Sequence, residues 1–206
     1  MQLCVATCLW DANEKSQPFS RGYDESWVEK LYNGFARNLS VPFRFVVFTD
    51  YERDFPEPIE QESLITENPD YGCFTEPYRL NCPMILVGLD TIVVGNIDHF
   101  AEYCMNGTKV ALPRDPYLPE RSINGVALVP AGQRRIFDLW RGENDMEWLR
   151  TFQWQPIDDL WPGQVVSLKA HKVRDVGLKE ARIVYFHGVP KPPSLMHLDW
   201  VQKHWR

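Results

Sequence analysis

The sequence predicts an α/β protein with a largely parallel sheet, and three observations carry that expectation. A strand, a helix and a second strand succeed one another within roughly the first 50 residues, which is the pattern of a βαβ unit. The apolar run 84–94, "MILVGLDTIVV", reads as two strands interrupted at Asp90. A last strand-like segment, "ARIVYFHG", runs straight into the Pro-rich "VPKPPS".

The elements follow in order. "LCVATCLW" is a short apolar run rich in small and branched residues, so it reads as a strand, and the polar, Pro-containing "DANEKSQPFSRG" after it reads as a surface connection. In "YDESWVEKLYNGFARNLS" the period changes. Trp27, Val28, Leu31, Tyr32 and Phe35 recur at helical spacing, with Asp24 or Ser26 as cap and acids in the first turn. "PFRFVVFTD" is β-branched and aromatic, a second strand. Residues 51–83, rich in Pro, Glu and Asp, read as loops with short elements. The next strand ends near Gly88, a turn falls near Asp90, and another strand crosses Thr91 to Val94. "NGVALVPAG" reads as a buried strand and "GQRRIFDLWRG" as a short helix.

With 206 residues and 44% hydrophobic content, the chain supports one domain with a sizeable core. A formal net charge of −6 argues against a nucleic-acid polymer or an anionic membrane as main partner, while leaving room for a small anion in a local basic pocket. No run approaches the roughly 18 apolar residues of a membrane span, and "MQLCVATCLWD" has neither a basic leader nor a cleavage pattern. The five cysteines lack paired C-x-x-C spacing and read as buried, reduced thiols. A soluble, cytoplasmic protein is the expectation.

Asp90 poses the main chemical question, because an ionised carboxylate inside an apolar run must be compensated. If the strand ends before it, Asp90 stands at the carboxyl edge of the sheet, where open α/β folds place their ligands. Two compensations are open: a metal ion, or main-chain N–H groups of a turn. A second constellation is "YFHGVPKPP", in which Gly188 allows close backbone approach, Lys191 offers a point charge for phosphate and the prolines hold the loop extended.

Four ordered segments, "VATCLWD", "GYDESWVEKLYNGFARNL" with "FRFVVFTD", "LDTIVVGNID" and "FHGVPKP", joined by "INGVALVPAG", resemble the GT-A glycosyltransferases. The similarity is to the retaining family that contains glycogenin and bacterial lipopolysaccharide galactosyltransferases. It covers most of the chain apart from 51–78 and 141–160. It implies a single Rossmann-like nucleotide-diphospho-sugar transferase domain with a mixed, mostly parallel central sheet. It also implies a UDP-linked sugar donor, a hydroxyl acceptor, and Mn²⁺ or Mg²⁺ bridging the phosphates.

Carried across, the resemblance puts Ala6 and Thr7 against the nucleoside, Tyr23 over the uracil ring, and Arg79 of "EPYRLN" toward the phosphates or the metal carboxylates. Asn124 and Gly125 match the N-x-G-V segment lining the sugar pocket, with Asn shifted by one. Gln164 of "WPGQVVS" falls near the D-Q segment that faces the reacting sugar, with Gly163 where an Asp would precede it. Asp90 and His187 become the metal ligands. Gly188 and Lys191 become phosphate contacts, with Asp90, Lys191 and Gln164 catalytic.

Besides Gly163, the chain departs from the pattern at two further places. Asp-x-Asp is Gly88-Leu89-Asp90 here, and Tyr185 stands where H-x-x-G-x-x-K-P puts its His, so His187 serves only in the variant F-H-G-x-x-K-P. Transfer with retention is therefore set against a nucleotide-sugar-binding module without turnover. A nucleotidyltransferase is disfavoured because "CLWDANEKS" has no glycine for a phosphate loop. The aromatic residues of 140–161 could form an acceptor platform, or pack inward from an amphipathic helix.

Overall fold

All seven residues of the first strand, β1 (Leu3–Leu9), are buried in a computed structural model that describes residues 2–206. The further strands are β2 (Phe43–Thr49), β3 (Ile59–Ser63), β4 (Met84–Val87), β5 (Ile92–Val93), β6 (Val110–Leu112), β7 (Val126–Val129), β8 (Trp154–Pro156), β9 (Val165–Ser167) and β10 (Ile183–Tyr185). A seven-stranded sheet has the order β3-β2-β1-β4-β7-β6-β8. Its half containing β3, β2, β1 and β4 is parallel, β7 is antiparallel to β4 and β6, and β8 is parallel to β6. A small second sheet, β5-β10-β9, stands apart from it.

Burial on both faces explains why β1 reads as an unbroken apolar run. Successive side chains point to opposite faces, so Leu3, Val5 and Leu9 join one core while Cys4, Ala6 and Cys8 join the other. The first core holds helix α1 (Glu25–Asn38), helix α2 (Asp98–Asn106) and the small sheet. The second lies under a 3-10 helix, Tyr71–Leu80, with Ile136 and Leu149. Helix α1 starts where its cap predicts: Asp24 accepts from Ser26 N at 3.0 Å, and Trp27, Val28, Leu31, Gly34 and Phe35 form the buried face.

Several elements escape the sequence pattern. The region 51–83 contains β3, an edge strand whose exposed polar residues mask it, and the 3-10 helix. β6, β8 and β9 have three residues each, too short for periodicity to show. Residues 140–161 are not one amphipathic helix. They divide into the one-turn helices Asp145–Leu149 and Ile157–Leu160 with β8 between them. Four of the five cysteines are buried and all five are free. No helix among the described residues is long and apolar enough to cross a membrane.

Phe35 is fully buried and its ring lies 6.4 Å from that of Phe45 across the helix–sheet interface. Phe35→Ala is expected to cost about 3–5 kcal/mol of unfolding free energy, read by urea denaturation at unchanged slope.

Candidate functional site

Strand register assembles the site. β4 ends at Val87, and a tight turn follows in which Gly88 O accepts from Thr91 N at 3.1 Å, leaving Asp90 at the sheet's carboxyl edge. Antiparallel pairing of Val87 with Val126 brings Asn124 and Gly125 beside that turn. Val184 pairs with Ile92 in the small sheet, so the chain leaving β10 arrives at Asp90 carrying Phe186, His187, Gly188 and Lys191.

Between these segments lies a cavity of about 410 Å³, inside the size range of small-molecule sites. Trp10, Phe19, Tyr23, Tyr71 and Phe74 give it an aromatic wall, with the Trp10 ring edge-on to Tyr71 at 6.2 Å and to Phe74 at 6.1 Å. The connection that supplies Trp10, Phe19 and Tyr23 is anchored by Arg53. Its side chain is only 3% exposed, and it bonds Asp11 and Glu25 at 2.8 Å and Asp50 at 2.9 Å.

The compensation for Asp90 comes from side chains. Its Oδ2 accepts from the Lys191 ammonium and, at 2.9 Å, from the Tyr23 hydroxyl. The ammonium also lies 4.7 Å from the centre of the Phe19 ring. Burial, followed by the charge of Asp90, raises the Tyr23 phenol above its usual range, so it stays a donor. His187 places Nδ1 3.2 Å from Ser167 Oγ; burial first, then the ammonium groups of Lys169 and Lys191, lower its pKa and favour the neutral ring.

The cavity also holds a carboxyl group that no sequence pattern marks. Asp145 is 9% exposed and its Oδ2 accepts from Asn124 Nδ2 at 2.8 Å, while Asn124 Oδ1 is buried with no partner among the described residues. Burial raises the Asp145 pKa to about 6 against the opposing pull of its hydrogen bonds. The only local signal was that "END" reads as a helix start: Asn144 accepts from Met146 N and Glu147 N, and Asp145 follows in the first turn.

Of the candidate residues, Asp90, Tyr23, Asn124, Gly125, His187, Gly188 and Lys191 converge on this cavity. Four others do not line it. Ala6 and Thr7 are fully buried within β1, and the cavity meets the end of that strand at Cys8 and Leu9, with Trp10 just beyond it. Arg79 bonds Ser63 O at 2.6 Å, pairs with Glu62 at 3.4 Å and lies over Phe48. Gln164 precedes β9 and so lies at the far end of the small sheet, where its Oε1 meets His99 Nε2 at 2.7 Å. The tryptophans of 140–161 also serve packing: Trp148 Nε1 donates to Ile136 O, Trp140 Nε1 to Glu143 O, and Trp161 stacks against Phe100. From that segment the cavity takes Asn144, Asp145 and Met146 instead.

The donor set is a poor match to the divalent cation that the resemblance implies. Gly88 contributes no carboxylate, and Oδ2 of Asp90 is engaged by an ammonium and a phenol, which leaves Oδ1 of one carboxylate and Nε2 of His187, whose Nδ1 faces Ser167, as the protein donors of the expected pair. No group of three or more His, Cys, Asp or Glu side chains among the described residues is arranged to hold a metal ion.

No protein-family model matches the chain, and no curated protein matches it in sequence. Solved structures do. The apo structure of the bifunctional glycosyltransferase WbbM is 9% identical, with a TM-score of 0.61 over 93% of this chain and 46% of its own. The glycosyltransferase GlyE of Streptococcus pneumoniae TIGR4 is 13% identical, with a TM-score of 0.58 over 93% of this chain and 56% of that one. The chain thus spans about half the length of each. At such identity the likeness speaks to the fold: a Rossmann-like GT-A glycosyltransferase fold with a mixed central sheet.

Asp145 makes stability pH-dependent with a definite sign. Its folded pKa is raised to about 6 from the ordinary aspartate value of 3.8, so its contribution is fully present below pH 4 and is lost as pH rises through 6. Asp145→Asn is expected to flatten that fall, gaining up to about 3 kcal/mol over the parent at pH 7 and little at pH 4, in urea unfolding at the two pH values.

Proposed function

We propose that the chain transfers a glycosyl group from a nucleotide-sugar donor to a hydroxyl acceptor. The observation that carries this is the Lys191 ammonium, held by Asp90 and Tyr23 in an aromatic-walled cavity at the carboxyl edge of a GT-A sheet. WbbM and GlyE, whose fold it shares, are glycosyltransferases.

In this reading the aromatic wall takes the base, and the diphosphate lies toward the loop 187–191. Asp145 and the unpartnered Asn124 Oδ1 accept from sugar hydroxyls. The anomeric C–O bond to the β-phosphate breaks with its electron pair going to the phosphate oxygen, and the acceptor oxygen forms the new bond to that carbon. The acceptor proton passes to the departing phosphate, on the same face, which retains configuration. Lys191 acts where charge develops, on the leaving oxygen, and its near-buried side chain strengthens that interaction. A UDP-linked donor is the preferred class, following the resemblance.

Gly88 favours a second reading, a module that binds a nucleotide sugar without turning it over, because one carboxylate of the expected pair is missing. A panel of nucleotide sugars, each assayed for donor consumption with and without simple glycoside acceptors, separates the two. Consumption of one donor supports transfer; UDP binding without consumption of any supports the module. In the active case Lys191→Met is expected to lower kcat by about a hundredfold, assayed below its own unfolding transition because the unpaired Asp90 also lowers stability by about 3–5 kcal/mol, while Lys191→Arg, which keeps the charge beside Asp90, stays near the parent in unfolding temperature.

A further inference from the structure

We infer that Lys169 and Lys191 together meet the charge of the donor diphosphate in place of a divalent cation, an inference that rests on the nucleotide-sugar reading above. The parallel pairing of Tyr185 with Ser167 carries both strands out of the small sheet at the same level. Lys169 and His187 each lie two residues beyond that pair, so the ammonium of Lys169 comes up beside the loop that bears Lys191. A Cβ built on Gly188, which adopts φ +61°, would lie 3.3 Å from Lys169 Nζ. The ammonium therefore stands against bare backbone in the loop between His187 and Lys191.

Charge balance separates the two lysines. Lys191 is paired with Asp90, while Lys169 forms no ion pair with a carboxylate of the chain among the described residues. Asp115, the other acid near His187, is 3.6 Å from the Arg150 guanidinium and accepts from Tyr117 N at 2.9 Å. The loop thus keeps one uncompensated positive charge, and His187, held toward its neutral form, adds none.

A dication faces the opposite situation. At Asp90 Oδ2 it must displace an ammonium that is held by the carboxylate and faces the Phe19 ring, and at Oδ1 it meets that ammonium's repulsion across the same carboxylate. Hard cations take several oxygen donors, and this turn provides one carboxylate with glycine at the position two residues before it. A second carboxylate at 88 would begin with a Cβ 3.1 Å from Asp90 Oδ1. Two ammonium groups on the segments that leave two paired strands supply the same compensation without that coordination shell.

Calorimetric titration of the full chain with UDP and with inorganic pyrophosphate, in EDTA and in Mn²⁺, tests this without relying on turnover. UDP affinity is expected to agree within about threefold in the two buffers, and Lys169→Met is expected to weaken it about tenfold, with Lys169→Arg recovering most of the loss. Tightening by Mn²⁺ of more than about tenfold, or a Lys169→Met chain that binds as tightly as the parent, overturns the inference. Pyrophosphate binding in EDTA without UDP binding keeps the lysine site and removes the nucleotide-sugar reading. Failure of both probes in both buffers removes both. Unchanged thermal unfolding of the Lys169 variants, whose side chain is exposed, keeps the comparison one of binding.

Discussion

The site depends on one ion pair formed in a largely dry setting. Asp90 and Lys191 are 101 residues apart, and their side chains are 15% and 10% exposed. Neither charge is tolerable there without the other, since breaking a buried pair by removing one partner costs about 3–5 kcal/mol. The pair ties the turn after β4 to the loop after β10, and through Tyr23 to the entrance of α1. Three separate stretches of chain are thereby drawn around one cavity. Because Oδ2 of Asp90 is satisfied by a cation of the protein itself, the turn offers a further ligand Oδ1 of a single carboxylate.

The polar groups of the cavity divide by depth and partner. Near the loop 187–191 the charge is cationic, the Lys191 ammonium beside an imidazole held toward its neutral form, with Lys169 behind Gly188 outside the cavity lining. On the side of the one-turn helix Asp145–Leu149 a carboxyl group raised to about 6 meets an amide with a free acceptor. Aromatic rings close the remaining wall. An anionic group at one end, hydroxyls at another and a flat ring between them suit this distribution, as binding sites place a few polar groups among apolar surface.

Neighbouring residues at the edge of the same sheets are given to structure. Arg79 and Gln164 resemble functional positions in sequence, yet one is tied to β3 and the other to His99 of α2. A polar side chain on a loop finds the nearest partner in space, and sequence spacing does not say which end of a strand that loop occupies. Arg53 makes the converse point. It reads as a loop residue, yet it gathers three carboxylates and so holds the connection that roofs the cavity.

The α/β class, the first βαβ unit with its cap at Asp24, and the break in the apolar run that sets Asp90 at a strand end are all legible in the order of the residues. These are local matters of periodicity, capping and burial cost, which a short window contains. The same order also pointed to the loop containing His187, Gly188 and Lys191. It took the folded arrangement to show that Lys191 is what neutralises Asp90, that Asp145 is buried in the cavity while Gln164 is not, and that Lys169 stands beside Gly188. Those outcomes follow from register between distant strands: pairing Val184 with Ile92 and Tyr185 with Ser167 fixes which side chains meet, and a shift of one residue would turn each to the opposite face.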